Sequence, residues 1–227
     1  MEHLAPTTDR DQRRLAVRRL GVVAYAAAWE LQRELAAQRA AEAIPDTLLL
    51  LEHPPTYTIG RSGGHDHLLV APAELSARGA TLVEVDRGGD ITYHGPGQLV
   101  GYPILQIKNH GRDLHRYLRM LEQVIIDTLA TYDLAGRRFP GYTGVWVGDE
   151  KIAAIGIRVN ARGVTSHGFA LNVATDLADF AAIVPCGISG YGVTSLERLL
   201  PSAPTLDEVG GHIVAAFEQV FELVVSS

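Results

Sequence analysis

Three strand-like segments joined by two very short polar connections constrain this chain more than any other feature. Residues 144–147 are largely apolar, Gly148, Asp149 and Glu150 make a turn, and residues 151–159 resume an apolar run. Residues 160–163 make a second tight connection, into residues 166–173. Strands joined this closely pair antiparallel, because a parallel neighbour needs a crossover of a dozen residues or more. A purely doubly wound parallel sheet does not fit that pattern.

The remaining segments supply helices and further strands. Residues 24–43, rich in Ala, Leu, Glu, Gln and Arg, predict a helix that Pro45 ends. Residues 47–51 form an apolar run of the kind found in a strand buried on both faces, closed by Pro54 and Pro55. Strands are also expected over residues 81–85 and 98–107. Asp113 can cap a helix over residues 114–132, where Leu114, Leu118, Leu121, Val124, Ile125 and Leu129 share one face. Thr194 with Glu197, and Thr205 with Glu208, have capping-box spacing and predict two later helices. The expectation is one catalytic domain over residues 1–227, with residues 1–15 loosely ordered.

Composition narrows the function classes. A 47% hydrophobic share supports a sizeable core, and the formal charge of −6 disfavours nucleic acid and acidic membrane surfaces as partners. The arginines between residues 10 and 19 look like a basic leader, but interspersed acids and the lack of an unbroken apolar stretch argue against export. No apolar run is long enough to span a bilayer. The single cysteine cannot form an internal disulfide, so the chain reads as a cytoplasmic protein.

That cysteine, Cys186, sits in Pro185-Cys186-Gly187-Ile188-Ser189-Gly190. A lone cysteine is most often a small buried apolar residue, whereas a proline and two glycines around it can also present a thiol at a loop. A thiol of ordinary pKa is only about 3% ionised at pH 7, so a nucleophilic role needs a cation or dipole nearby. Lys151, opening an apolar strand, can supply one if it turns inward. Beside a turn, however, a lysine is commonly a solvated surface charge. His94 and His167 are the other candidate partners. Residues 87–98, dense in glycine, lack the ending of a P-loop and the spacing of a dinucleotide fingerprint, which leaves close approach of backbone to a ligand or an ordinary connection. Gly60-Arg61-Ser62-Gly63-Gly64 matches a serine-hydrolase pattern without the helix that it requires. His65-Asp66-His67 lacks a second cluster of metal ligands, so no metal site is expected.

Taken together, these segments resemble the lipoyl(octanoyl) transferases, relatives of the lipoate- and biotin-protein ligases. The resemblance runs from residues 48–53 through Tyr57-Thr58-Ile59-Gly60-Arg61, residues 87–98, 151–156 and 167–172 to the Cys186 segment and Leu196. It implies an α/β (α+β) fold in which helices flank a mixed, largely antiparallel sheet, as in class II aminoacyl-tRNA synthetases and biotin ligases. It also implies octanoyl transfer from octanoyl-acyl carrier protein to a lysine of lipoyl domains, in 2-oxoacid dehydrogenase complexes and the glycine cleavage H protein. Cys186 matches the acyl-thioester cysteine and Lys151 the lysine that acts on it. Arg87, Gly88, Gly89, Asp90, Ile91, Thr92, Tyr93 and His94 match substrate-binding positions, as do Ala154, Ile155, Gly156, Gly168, Phe169 and Ala170. A monomer without cofactor is expected, and Arg61, Arg87, Lys108, Arg137, Arg138 and Arg158 are candidates for a basic docking surface. The rivals are an ATP-dependent lipoate or biotin ligase, a thioesterase, and a non-catalytic acyl- or lipoyl-binding module.

Overall fold

The computed structural model describes residues 13–184 and 191–226. Residues 1–12, in the segment expected to be loose, and residues 185–190, which contain Cys186, lie outside the described residues. In chain order the elements are β1 (Arg14–Val22), α1 (Tyr25–Ala40), β2 (Asp46–Glu52), β3 (Thr56–Ile59), α2 (Pro72–Ala77), β4 (Thr81–Glu84), β5 (Ile91–His94) and β6 (Gln98–Ile104). They continue with α3 (Leu114–Ala130), β7 (Gly136–Phe139), β8 (Tyr142–Val147), β9 (Glu150–Val159), β10 (Thr165–Asn172), β11 (Gly192–Val193), α4 (Leu196–Leu199), α5 (Leu206–Phe221) and β12 (Val224–Val225).

Among the described residues the larger sheet has nine strands, in the order β12-β1-β2-β6-β10-β9-β8-β7 with β11 added beside β9. The pairs from β2 to β7 are antiparallel, and β1 runs parallel to both β2 and β12. This is the mixed, largely antiparallel sheet that the two short turns require. A smaller sheet, β4-β3-β5, stands apart from it.

Strand β2 shows why the large sheet carries helices on both faces. Leu48 and Leu50 point into the core shared with α3 and α5, while Leu49 and Leu51 point the other way, against Ala28, Leu35 and Ala36 of α1. Period-2 alternation of an all-apolar strand yields two apolar faces, and each must be covered. Both long capped helices form as expected. The Asp113 carboxylate accepts from the backbone amides of His115 and Arg116, and Thr205 with Glu208 completes a capping box.

Three expectations need correction. Residues 14 and 15 belong to strand β1, not to a loose leader, and Leu15 is wholly buried. Thr194 does not cap α4; Ser195 does, accepting from the Arg198 amide, while the Thr194 amide donates to the Lys151 carbonyl at 3.0 Å. Leu114, grouped with the buried helical face, is instead 44% exposed. Among the described residues no helix is long and apolar enough to cross a membrane.

Candidate functional site

The site forms where the small sheet and residues 87–94 cover one end of β9 and β10. Gly88 donates from its backbone amide to the Ile157 carbonyl at 2.9 Å, which lays the glycine loop directly on β9. A Cβ on Gly156 would stand 2.9 Å from the Gly88 carbonyl oxygen, so a side chain there would push the loop off the strand. On its other side the loop is held by residues 60–62: Arg61 and Ser62 donate amide hydrogen bonds to the carbonyls of Arg87 and Gly89. The Gly-x-Ser-x-Gly match is therefore part of this clasp, and a short 3-10 turn follows it where a nucleophile elbow would need a helix.

Between loop and sheet lies an inner cavity of about 40 Å³. Its walls include Arg87, Gly89, Asp90, Ile91, Thr92, His94, Ala154, Ile155, Gly156, Gly168, Phe169 and Ala170. Its lining shares Gly89, Asp90, Ile155 and Gly156 with a wider groove of about 430 Å³, which Gly88 and Lys151 also line. The structure thus brings the expected substrate-binding residues together, with one exception. Tyr93 is buried in the small sheet's own core, against Tyr57 and Phe180.

Lys151 is 6% exposed, so the inward orientation holds and the solvated-surface alternative does not. Sequence periodicity alone could not place it, because β8 and β9 slip register between Val145 and Trp146: Val145 pairs with Ala153, and Trp146 with Lys151. Such a bulge re-aims the side chains beside it. The Lys151 ammonium stands 5.7 Å from the centre of the Trp146 ring, within cation–π range. Val193, seven residues after Cys186 in the sequence, pairs in register with Lys151. Cys186 itself lies outside the described residues.

A buried hydrogen-bond chain ties the glycine loop to this end of β9. The His94 Nδ1–H donates to Gln98 Oε1 at 2.9 Å, Gln98 Nε2 donates to Asn172 Oδ1 at 3.0 Å, and Asn172 Nδ2 donates to the Thr194 carbonyl at 3.0 Å. Thr194 in turn bonds Lys151 as described above. Each link pairs a buried donor with a buried acceptor, although the Thr194 hydroxyl itself has no hydrogen-bond partner among the described residues.

The inner end of the cavity brings in Tyr25 and Tyr102, which no motif marked. They line it together with His94 and His167, and His53 packs beside them, its ring centre 4.9 Å from that of Tyr25 and 5.7 Å from that of His94. The His53 Nδ1–H donates to the Val23 carbonyl and its Nε2 accepts from the Tyr102 hydroxyl, both at 2.7 Å. Burial lowers the His53 pKa to about 4. Burial, then the charges of His53 and Arg87, hold His94 well below the ordinary histidine range. Burial also lowers His167, although Asp86, which accepts from its Nε2 at 2.7 Å, opposes the shift. Burial raises Tyr25 to about 12. The pocket end is thus lined by neutral rings, with Arg87 the cation. The Arg87 guanidinium is anchored from below, donating to the Thr58 carbonyl at 2.7 Å and to its hydroxyl at 2.8 Å.

Of the candidates for a basic surface, Arg87 is buried and Arg61 is exposed, while Lys108 pairs with Glu42, Arg137 with Asp149, Arg138 with Glu122 and Arg158 with Asp86. The histidines of the His65-Asp66-His67 segment face Glu84 and Asp90. Among the described residues no group of three or more His, Cys, Asp and Glu could hold a metal.

A mixed sheet with helices on both faces is a fold this chain shares with solved lipoate and biotin protein ligases. A bipartite lipoate protein ligase from Thermoplasma acidophilum, solved in work that also treats its E2 lipoyl domain, superposes with a TM-score of 0.67 at 16% identity, over 96% of this chain and 86% of that one. A biotin protein ligase from Aquifex aeolicus in complex with biotin and ATP gives 0.56 at 13% identity, over 92% and 71%. Residues 24–218 match the lipoyl protein ligase A/B catalytic domain, and the chain belongs to that family. Within it, a curated octanoyltransferase of Chloroflexus aurantiacus is 54% identical over 213 residues, covering 93% of this chain and 96% of the relative.

Proposed function

We propose that this chain is an octanoyltransferase of lipoate biosynthesis. It would take the acyl group from octanoyl-acyl carrier protein onto Cys186 and pass it to a lysine of a lipoyl domain, with residues 1–227 acting as one catalytic domain. The observation that carries the reading is the buried Lys151, which lines a groove together with Gly88 and Gly89 of the glycine loop, Ile155, Gly156 and Ile157 of β9, and Leu114 and Leu118 of α3. Identity above one half to a curated octanoyltransferase over nearly the whole chain supports the acyl group named. The pairing of Val193 with Lys151 supports Cys186 as the nucleophile, because it returns the chain to Lys151 soon after the cysteine.

In the first step the Cys186 thiolate attacks the carrier's thioester carbonyl. A new C–S bond forms, the carrier's own C–S bond breaks, and the departing carrier sulfur takes a proton from the Lys151 ammonium, which is left neutral. One thioester replaces another, so the exchange is close to balanced. In the second step the acceptor lysine, as the free amine, attacks the acyl-enzyme carbonyl. The C–N bond forms, the Cys186 thiolate leaves, and the extra proton on nitrogen passes to neutral Lys151. The octanoyl tail lies along the groove and enters the inner cavity, where neutral rings surround it.

The reaction is tested by mixing the full chain with octanoylated carrier, reading intact mass, then adding a lipoyl domain without ATP. An octanoyl adduct on the enzyme that chases onto the acceptor is expected, and Cys186→Ser should show neither. An adduct persisting in that variant would remove Cys186 from the mechanism. Transfer that requires ATP and free octanoate would point to a ligase instead.

A further inference from the structure

We propose that Glu122 is a positioning residue for Lys151; the inference rests on the reading of Lys151 given above. Glu122 lies on α3, and its carboxylate is shut between that helix and the sheet, with the side chain 1% exposed. A carboxylate in such a place is costly unless it is fully bonded. One oxygen accepts from Arg119 Nη1 at 2.6 Å and from Arg138 Nε at 3.0 Å, both arginines reaching in from the surface. The other faces the sheet and accepts from the backbone amide of Gly144 at 3.3 Å.

Gly144 is the residue against which Lys151 rests. Its φ is +132°, and a Cβ there would stand 2.6 Å from Lys151 Cε. Glycine is needed for the backbone angle, and the bare Cα also leaves the lane in which the lysine stem lies. Trp146, two residues on, faces the ammonium. Both neighbours that confine Lys151 from this side are therefore on β8, and Glu122 holds the beginning of β8 to the helix. An apolar side chain would join helix and sheet at less cost in desolvation. What a carboxylate adds is a directed bond to a backbone position beside which the lysine stem lies. Arg138, on β7, also donates to the Arg119 carbonyl and to Gln123, so the clamp grips the whole β7-β8 hairpin.

The test is the rate at which iodoacetamide captures Cys186, the sole cysteine, as a function of pH in the full chain. Lys151→Ala should slow capture at pH 7 about tenfold through loss of the cation assigned above to the thiolate, with rates converging at alkaline pH. Glu122→Gln, which keeps the size and an acceptor for Gly144 but weakens both arginine bonds, should slow capture about threefold. Gly144→Ala, whose added methyl would occupy the lane of the lysine stem, should act in the same direction. A merely structural clamp would lower the melting temperature without slowing capture, and that result in Glu122→Gln overturns the proposal. Should that variant fail to fold, Arg138→Met carries the test, with about twofold slower capture expected and an unchanged pH profile counting against the idea. If Lys151→Ala itself leaves capture unchanged, the role given to Lys151 fails first. If only the Glu122 and Arg138 variants are silent, that role stands and the positioning fails.

Discussion

Ala154 and Ala170 stand directly opposite one another on β9 and β10, and both line the inner cavity. Two methyl groups in register clear a strip of sheet that larger residues would fill. Ala154→Leu adds three carbons at the place where the acyl tail would end. Losing contact with about three methylenes corresponds to roughly 2 kcal/mol, or about 30-fold in kcat/KM for octanoyl transfer. A butanoyl thioester, too short to reach the strip, should transfer at an unchanged rate. Comparing the two donors in one variant separates shortening of the slot from general damage.

Lys151 carries two roles in the proposed mechanism, and Lys151→Arg separates them. The guanidinium keeps the positive charge but does not give up a proton at working pH. Capture of Cys186 by iodoacetamide should stay within about threefold of the parent, while acylation of the acceptor lysine falls about 100-fold or more. Single-turnover measurement of each half-reaction checks this. Equal losses in both halves would show that the wider head group had simply displaced the site.

Much of the fold was legible wherever neighbours in sequence are neighbours in space. The turns at residues 148–150 and 160–163 announced β8, β9 and β10, and Asp113 and Thr205 announced their helices. Strand β1 was missed because its arginines mimic a basic leader; only pairing with β2 and β12 explains them. Strand β5 was hidden because it lies inside a glycine-dense stretch. Tyr25, His53 and Tyr102 come from α1, the end of β2 and β6, and no local pattern could unite them. Each carried a weak signal nonetheless: a histidine just after a fully apolar strand, and tyrosines beside segments already singled out. The bulge at Ile152 was invisible for a different reason. Register is a property of two strands, and one strand's sequence does not encode where the other slips.

The glycines around the cavity should divide by what an added methyl meets. On Gly168 it would overlap the Gly101 carbonyl and stand 2.6 Å from Pro103 Cδ, groups with no freedom to withdraw. Gly168→Ala should therefore destabilise the chain by about 2 kcal/mol, seen as a lower urea midpoint with the slope unchanged. On Gly88 the methyl's nearest contact is the Ile157 carbonyl at 3.4 Å, an ordinary approach. Gly88→Ala should unfold within about 0.5 kcal/mol of the parent. Any loss of transfer in that variant then reports on the ligand and not on the fold.

Stability should also fall in mild acid, because His53 is kept neutral by burial. Its pKa drops from the ordinary 6.5 to about 4 in the folded chain. Between those values the unfolded chain binds a proton that the folded chain does not, so stability rises with pH across the window. Put the other way, it is lost as pH falls from about 6.5, and the loss levels off below about 4, once the folded state also protonates. At about 1.4 kcal/mol per pH unit, His53 alone accounts for about 3 kcal/mol across the window. His94 and His167 are shifted in the same direction and add to the slope. His53→Gln can donate to the Val23 carbonyl and accept from Tyr102 without titrating. Its urea midpoint should therefore fall less steeply between pH 6.5 and 4 than that of the parent, while the two stay close at pH 8. Parallel curves for the two proteins would mean that His53 does not titrate on unfolding in this range, and that the acid sensitivity arises elsewhere.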